Sequence, residues 1–168
     1  MRTLFASALV ALMAVPCAVL AQGIDDNWQA YVDRDYGFSA QVPVGVFTPV
    51  NNPSRPGLSL EEIGGEAKLS LYGGPARGMT RDALEARLES GENISTITYR
   101  AGGASWFVLS GFYQPELTGE QTIFYTKVLF SPDRESFSAF EISFPERDKP
   151  RFEQMVEYFE DHFTRPTR

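Results

Sequence analysis

The sequence predicts an α+β domain: a mainly antiparallel sheet of about 6–8 strands, one helix in the middle of the chain, and a C-terminal amphipathic helix packed on the sheet. Three observations carry that prediction. About eight short stretches alternate apolar and polar side chains with the period of two that a strand imposes. Clusters of glycine, proline and aspartate separate most of them by hairpin-length intervals, and hairpins join antiparallel neighbours. Two other stretches change to the spacing of a helix.

Trp28 to Val32 sets Trp28, Ala30 and Val32 against Gln29 and Tyr31 and is expected as the first strand. Asp33-Arg34-Asp35-Tyr36-Gly37 reads as a turn. Phe38, Ala40 and Val42 alternate with Ser39 and Gln41 in a second strand that stops at Pro43. Phe47 to Gly57 carries Pro49, Pro53 and Pro56 and is expected as a loop. Leu58 to Ile63 and Ala67 to Tyr72 flank Gly64-Gly65, a hairpin signal, and Gly73 to Gly78 is expected as a glycine-rich connection. Thr80 suits the N-cap of a helix over Arg81 to Ser90, with Leu84 and Leu88 on one face and Gly91 as its stop.

Ile94 to Arg100 and Ser105 to Phe112 are strands around the turn Ala101-Gly102-Gly103-Ala104. The second places Trp106, Val108 and Phe112 on one face and Phe107 and Leu109 on the other, the pattern of a central strand covered on both sides. After a loop from Tyr113 to Glu120, strands Ile123 to Phe130 and Phe137 to Phe144 flank the turn Ser131-Pro132-Asp133-Arg134. Pro145 ends the last strand, Asp148 is the expected N-cap, and Pro150 falls in the first helical turn, where its missing N–H is harmless. The helix to about Phe163 aligns Phe152, Met155, Val156, Phe159 and Phe163 in one stripe.

The first 21 residues read as a signal peptide. Arg2 is a short positive region, Leu4 to Val15 an apolar core, and Val19-Leu20-Ala21 a cleavage signal, so cleavage is expected between Ala21 and Gln22. The apolar core is shorter than the roughly 20 residues that span a bilayer. A periplasmic or secreted single domain over residues 22–168 is the expectation, with no integral membrane segment in the mature chain. Lipid attachment at Cys17 is disfavoured, because Ala14-Val15-Pro16 lacks the usual leucine and puts a proline beside the cysteine. Removing Arg2 from 15 basic residues leaves 14 against 22 acidic ones, a net charge of −8. That balance, with no run of Lys or Arg, disfavours nucleic acid as a partner. Cys17 is the only cysteine, so the mature chain has no disulfide and relies on packing, for which 13 Phe and 7 Tyr supply the bulk.

Tyr36-Gly37-Phe38-Ser39, followed by Val42-Pro43-Val44-Gly45-Val46-Phe47, resembles the start of PsbP-like domains. That superfamily takes in the photosystem II extrinsic protein P and a Ran-binding nuclear import factor, and its members run through hairpins to a final helix. Tyr99-Arg100-Ala101 to Trp106-Phe107-Val108-Leu109-Ser110-Gly111 is similar to small exported proteins of proteobacteria. The resemblance implies a sheet flanked by helices and a generally non-enzymatic assembly or binding module. It carries over no site residue.

Motifs for chemistry are sparse. His162, the only histidine, falls in the last turn of the terminal helix, where a cation meets the negative end of the dipole. Neither a Gly-x-Ser-x-Gly elbow nor a Ser-x-x-Lys pair is present, and Ser105 and Ser110 read as sheet residues. One histidine and one cysteine cannot build a zinc site. Asp33 to Gly37 starts like a calcium loop but has Gly37 in place of the third acid. Glu61, Glu62 and Glu66 read as a solvated hairpin tip. Gly73 to Gly78 lacks the Lys-Ser/Thr of a phosphate loop, and Asn93-Ile94-Ser95 is a glycosylation sequon in form. No catalytic residue, metal or cofactor is therefore assigned. Tyr99, Trp106, Tyr113 and Tyr125 are the candidate ligand residues, in contest with a plain core role. The expected function is an exported, non-catalytic binding or protein-interaction module with a protein or small-molecule partner in the cell envelope. The alternatives are a small carboxylate-based hydrolase and an envelope stress factor that binds unfolded clients.

Overall fold

The structure, a computed structural model, describes residues 27–53, 56–91, 93–115 and 120–168. The expected leader, with Cys17, Ala21 and Gln22, lies outside these residues. In chain order the elements are β1 (Trp28–Val32), β2 (Ser39–Pro43), β3 (Phe47–Val50), β4 (Leu58–Glu62), β5 (Lys68–Pro75), α1 (Arg81–Glu89), β6 (Ile94–Gly103), β7 (Trp106–Tyr113), β8 (Thr122–Phe130), β9 (Ser136–Pro145) and α2 (Lys149–His162). A 3-10 turn over Glu146–Asp148 leads into α2. Seven strands form one antiparallel sheet in the order β3-β4-β5-β9-β8-β7-β6, and β1 pairs with β2 in a separate ribbon. The α+β class and the two helices are as the sequence predicts.

The alternation along β9 decides which helix sits on which face. Phe140 and Ile142 register with Leu71 and Leu69 of β5, and Leu69 in turn with Leu60 of β4. Onto this face α2 lays Phe152, Met155 and Phe159, and Phe163 follows directly after the helix, all buried. The β1–β2 ribbon adds Phe38, Ala40 and Val42 to the same core. Phe140 contacts Phe159 at 5.6 Å and Phe163 at 5.2 Å, centroid to centroid. Each fully buried phenylalanine contributes roughly 1.5–3 kcal/mol of transfer free energy, so these rings dominate the hold on α2. Past α2 the chain is tied down by Thr164 N–H to Ser39 O at 2.9 Å and Ser138 Oγ to Thr164 O at 2.9 Å.

On the opposite face α1 covers Phe107, Leu109, Val128, Phe130, Phe137 and Ala139. Its apolar anchor is Leu84, fully buried, with Leu88 beside it. Thr80 Oγ1 accepts from Ala83 N–H at 3.1 Å, the predicted cap. Buried Glu85 bonds Arg81 of the preceding turn and Arg100 of β6, and Arg100 also reaches Glu89. One leucine and a charge network hold α1, where four apolar side chains hold α2.

Several local expectations are corrected. Phe47 to Val50 is a strand and not a loop; Pro49 is tolerated because β3 is an edge. β5 runs on through Gly73, Gly74 and Pro75. A Cβ at Gly74 would lie 2.7 Å from the Phe137 ring and one at Gly73 2.5 Å from the Tyr36 ring, so glycine here lets aromatic rings lie flat on the strand. β6 likewise extends to Gly103, and the turn is Ala104-Ser105. β7 is next to the edge rather than central; β9 holds the middle. Asp148 precedes α2 but makes no side-chain cap. Val32, placed in the apolar set of β1, is 62% exposed, while Tyr31 packs on Phe38 at 6.1 Å. Glu62 is buried rather than solvated, accepting from Ala67 N–H at 3.1 Å and from Arg151 of α2.

Candidate functional site

Neither helix covers its whole face, and the two uncovered areas differ in chemistry. On the α2 side the helix reaches only as far as β8. Glu160 accepts from Tyr125 Oη at 2.6 Å and from Lys127 Nζ at 2.9 Å, which pins the helix flank to that strand. Burial, the bond to Glu160 and the charge behind it push the Tyr125 phenol well above its ordinary pKa.

Beyond β8, no helix among the described residues lies over the same face of β7 and β6. Register places Tyr99, Ser110 and Tyr125 in one row across three strands. Trp106 lies in another row, paired with Gly103, whose added Cβ would be 2.6 Å from the indole nitrogen. Phe112 lies in a third row, paired with Ile123. Tyr99 is 54% exposed, and Trp106, Phe112 and Tyr125 are half-buried. Three of the four candidates thus form one aromatic strip, between a pure core role and full exposure. Only glycine at 103 leaves room for the indole to lie across the edge strand.

Tyr113, the fourth candidate, faces the other way. It stacks on Phe124 at 4.8 Å and donates to Glu141 Oε1 at 2.9 Å, while Thr126 Oγ1 lies 3.4 Å from Oε2. Glu141 is on the floor of a cleft of about 680 Å3 on the α1 side, where the helix stops short of the sheet's other end. Lys68 pairs with Ser143 and Ser70 with Glu141, so the floor is a polar quartet on two adjacent central strands. At the rim Arg147 bonds both Glu66 and Glu120. Sequence reasoning passed over Glu141. Its signal was available: a lone acid inside Phe137–Phe144, the most apolar strand in the chain.

Other sequence candidates take structural roles. Asp33 Oδ1 accepts from the backbone N–H groups of Asp35 at 3.1 Å and Tyr36 at 2.7 Å, closing the predicted turn, in which Gly37 has φ +71°. His162 stacks on Tyr158 at 3.9 Å, and its Nδ1 lies 2.9 Å from Tyr158 O. Ser110 Oγ donates to Phe124 O at 2.8 Å. Among the described residues no group of three metal-ligating side chains gathers, and no helix is long and apolar enough to cross a membrane.

No protein-family model matches this chain, and no curated protein matches it in sequence. Solved structures do match. The solution structure of cyanobacterial PsbP (CyanoP) from Synechocystis is similar over 86% of this chain and 95% of its own, at TM-score 0.60 and 12% identity. The Ran-binding protein Mog1p of Saccharomyces cerevisiae is similar over 83% of this chain and 95% of its own, at TM-score 0.58 and 8% identity. A variant of protein Mog1 matches at the same TM-score over 82%. The sheet order, the two helices and these likenesses together establish that this chain adopts the fold shared by PsbP and Mog1.

Proposed function

We propose that this protein is an exported, non-catalytic module that binds another protein of the cell envelope through its aromatic strip. The observation that carries the reading is the uncovered face of β6 and β7: Tyr99 is 54% exposed beside half-buried Trp106 and Phe112. Exposed aromatic clusters on an otherwise well-packed domain mark interaction surfaces, and Tyr and Trp lead among the residues that anchor them. The fold likeness supports the reading, since Mog1p is a Ran-binding protein. Export rests on the leader-like residues 1–21.

The test is native mass spectrometry of the protein from the envelope of its own host, with a photo-crosslinking side chain at position 99. A chain beginning at Gln22 and one discrete envelope protein trapped from position 99, but not from the equally exposed position 63, are the expected results. A chain that keeps its leader removes the export half of the proposal. Equal trapping at both positions, or none, removes the binding half.

A further inference from the structure

We propose that residues 34–39 and the start of β9 form a peptide-binding site, that the chain's own residues 164–168 occupy it, and that this occupancy fixes the β1–β2 ribbon to the rest of the domain. The ligand class is an extended peptide of the pattern Thr-x-Pro-Thr. The site lies over β9 and not over β6 and β7, so it is separate from the aromatic strip. The argument starts from what the ribbon lacks. β1 and β2 form a two-stranded sheet of their own, and such a hairpin is marginal in water by itself. Phe38, Ala40 and Val42 anchor one of its faces in the core. Along the edge of β2, Thr164 takes the place of a third strand. Its N–H donates to Ser39 O at 2.9 Å, and its Oγ1 accepts from Ser39 N–H at 2.8 Å, where a strand would offer a carbonyl.

The following residues select the sequence of the peptide. Pro166 is buried and brings no N–H that would need a partner there. Thr167 N–H and Arg168 N–H both donate to Tyr36 O, at 3.0 and 3.3 Å. Thr167 Oγ1 donates to Gly37 O at 3.2 Å, and the Arg168 guanidinium donates to Arg34 O at 3.1 Å. A Cβ at Gly37 would collide with Thr167 Oγ1, so the bound peptide demands glycine as well as the turn does.

The sheet supplies the other wall. Ser136 and Ser138 of β9 are buried, and their hydroxyls donate to Arg168 O and Thr164 O. A buried hydroxyl is costly unless it is bonded, and both of these are directed to this one segment. The motif Tyr36-Gly37-Phe38-Ser39 thereby acquires a task at each position. Tyr36 and Gly37 present carbonyls, the Phe38 ring meets Phe163 at 5.7 Å, and Ser39 engages Thr164 through both of its backbone groups.

The experiment is native-state hydrogen exchange, read by NMR, on the full protein and on its double variant Thr164→Val with Thr167→Val. Each substitution keeps the side-chain size and removes the hydroxyl. The amides of β1 and β2 are expected to exchange at least about tenfold faster, as two lost side-chain hydrogen bonds require, with β8 and β9 unchanged. The synthetic peptide Phe-Thr-Arg-Pro-Thr-Arg is then added to the double variant at millimolar concentration, the range in which it rivals a tethered segment. It should restore protection of the ribbon, and Phe-Val-Arg-Pro-Val-Arg should not. If the double variant loses spectral dispersion, Thr167→Val alone, at an exposed position, replaces it and should speed exchange of the ribbon severalfold, with the same two peptides added. Unchanged exchange in the ribbon, faster exchange spread evenly over β8 and β9, or restoration by both peptides or by neither would each overturn the proposal.

Discussion

The two faces of the seven-stranded sheet are finished by different means. The α2 face is sealed by hydrophobic mass: Phe152, Met155 and Phe159 of the helix, with Phe163 just past its end, against Phe140, Ile142 and Leu69 of the sheet. The α1 face is held by one fully buried leucine and by Glu85 clasped between Arg81 and Arg100. Ion pairs around a buried carboxylate give back much of their attraction as desolvation cost, so α1 is the more weakly held helix. The uncovered halves differ as well. Beside α2 the open sheet is aromatic; beside α1 it is polar. The two open areas thus differ in kind, an aromatic strip on one face and a polar cleft on the other.

Substitutions can break this comparison, the largest effect first. Phe140→Ala removes the ring that meets Tyr125, Phe159 and Phe163, and should cost about 3–5 kcal/mol in urea unfolding. Leu84→Ala should cost less, about 2 kcal/mol, because α1 has few other apolar contacts to lose and its end of the core can relax. Native-state hydrogen exchange should then show α1 opening in that variant while α2 stays protected. An equal loss of protection in both helices would mean that the two cores are one cooperative unit.

Alkaline pH sharpens the contrast from the other side. Burial first, then the Asp33 carboxylate, push the Tyr31 phenol from 10 up to about 12, and Tyr125 is raised further by burial and Glu160. A phenol whose pKa is higher folded than unfolded holds its proton more tightly in the native state. Its contribution is whole below pH 10 and is lost as the pH climbs through about 12. Stability should therefore fall over that window, as followed by phenolate absorbance and unfolding midpoints. Tyr125→Phe should flatten the fall, because Tyr125 lies on the α2 side. Tyr99→Ala should have the smallest effect on folding, within about 0.5 kcal/mol for an exposed edge-strand side chain, yet it should abolish crosslinked partner capture. A large loss of stability would return Tyr99 to the core.

Much of the fold was legible because its signals are local. The Gly64-Gly65 hairpin, the Thr80 cap and the phenylalanine stripe of α2 each depend on residues a few positions apart, and each is present. The misplaced boundaries share one cause. Pro49 and Gly73-Gly74 carry turn propensities, but an edge position excuses the proline, and the rings of Tyr36 and Phe137 require the glycines. Neighbours remote in sequence overrode local preference. For the site, the four aromatic candidates were legible as residues but not as a group. Alternation along β7 says that Trp106 and Phe107 face oppositely; it does not say which side a helix covers.

Period-two and helical patterning, the turn chemistry and the lone acid in β9 were properties of the chain alone, since each reflects the geometry of one segment. Strand order and helix reach were not. Only the pairing of β5 with β9, 68 to 75 against 136 to 143, makes β9 central and puts β7 next to the edge. Where α2 stops, at the Glu160 bonds to Tyr125 and Lys127, separates buried core from exposed strip. Long-range pairing sums many weak contacts across the whole domain, and no single stretch of sequence encodes that sum.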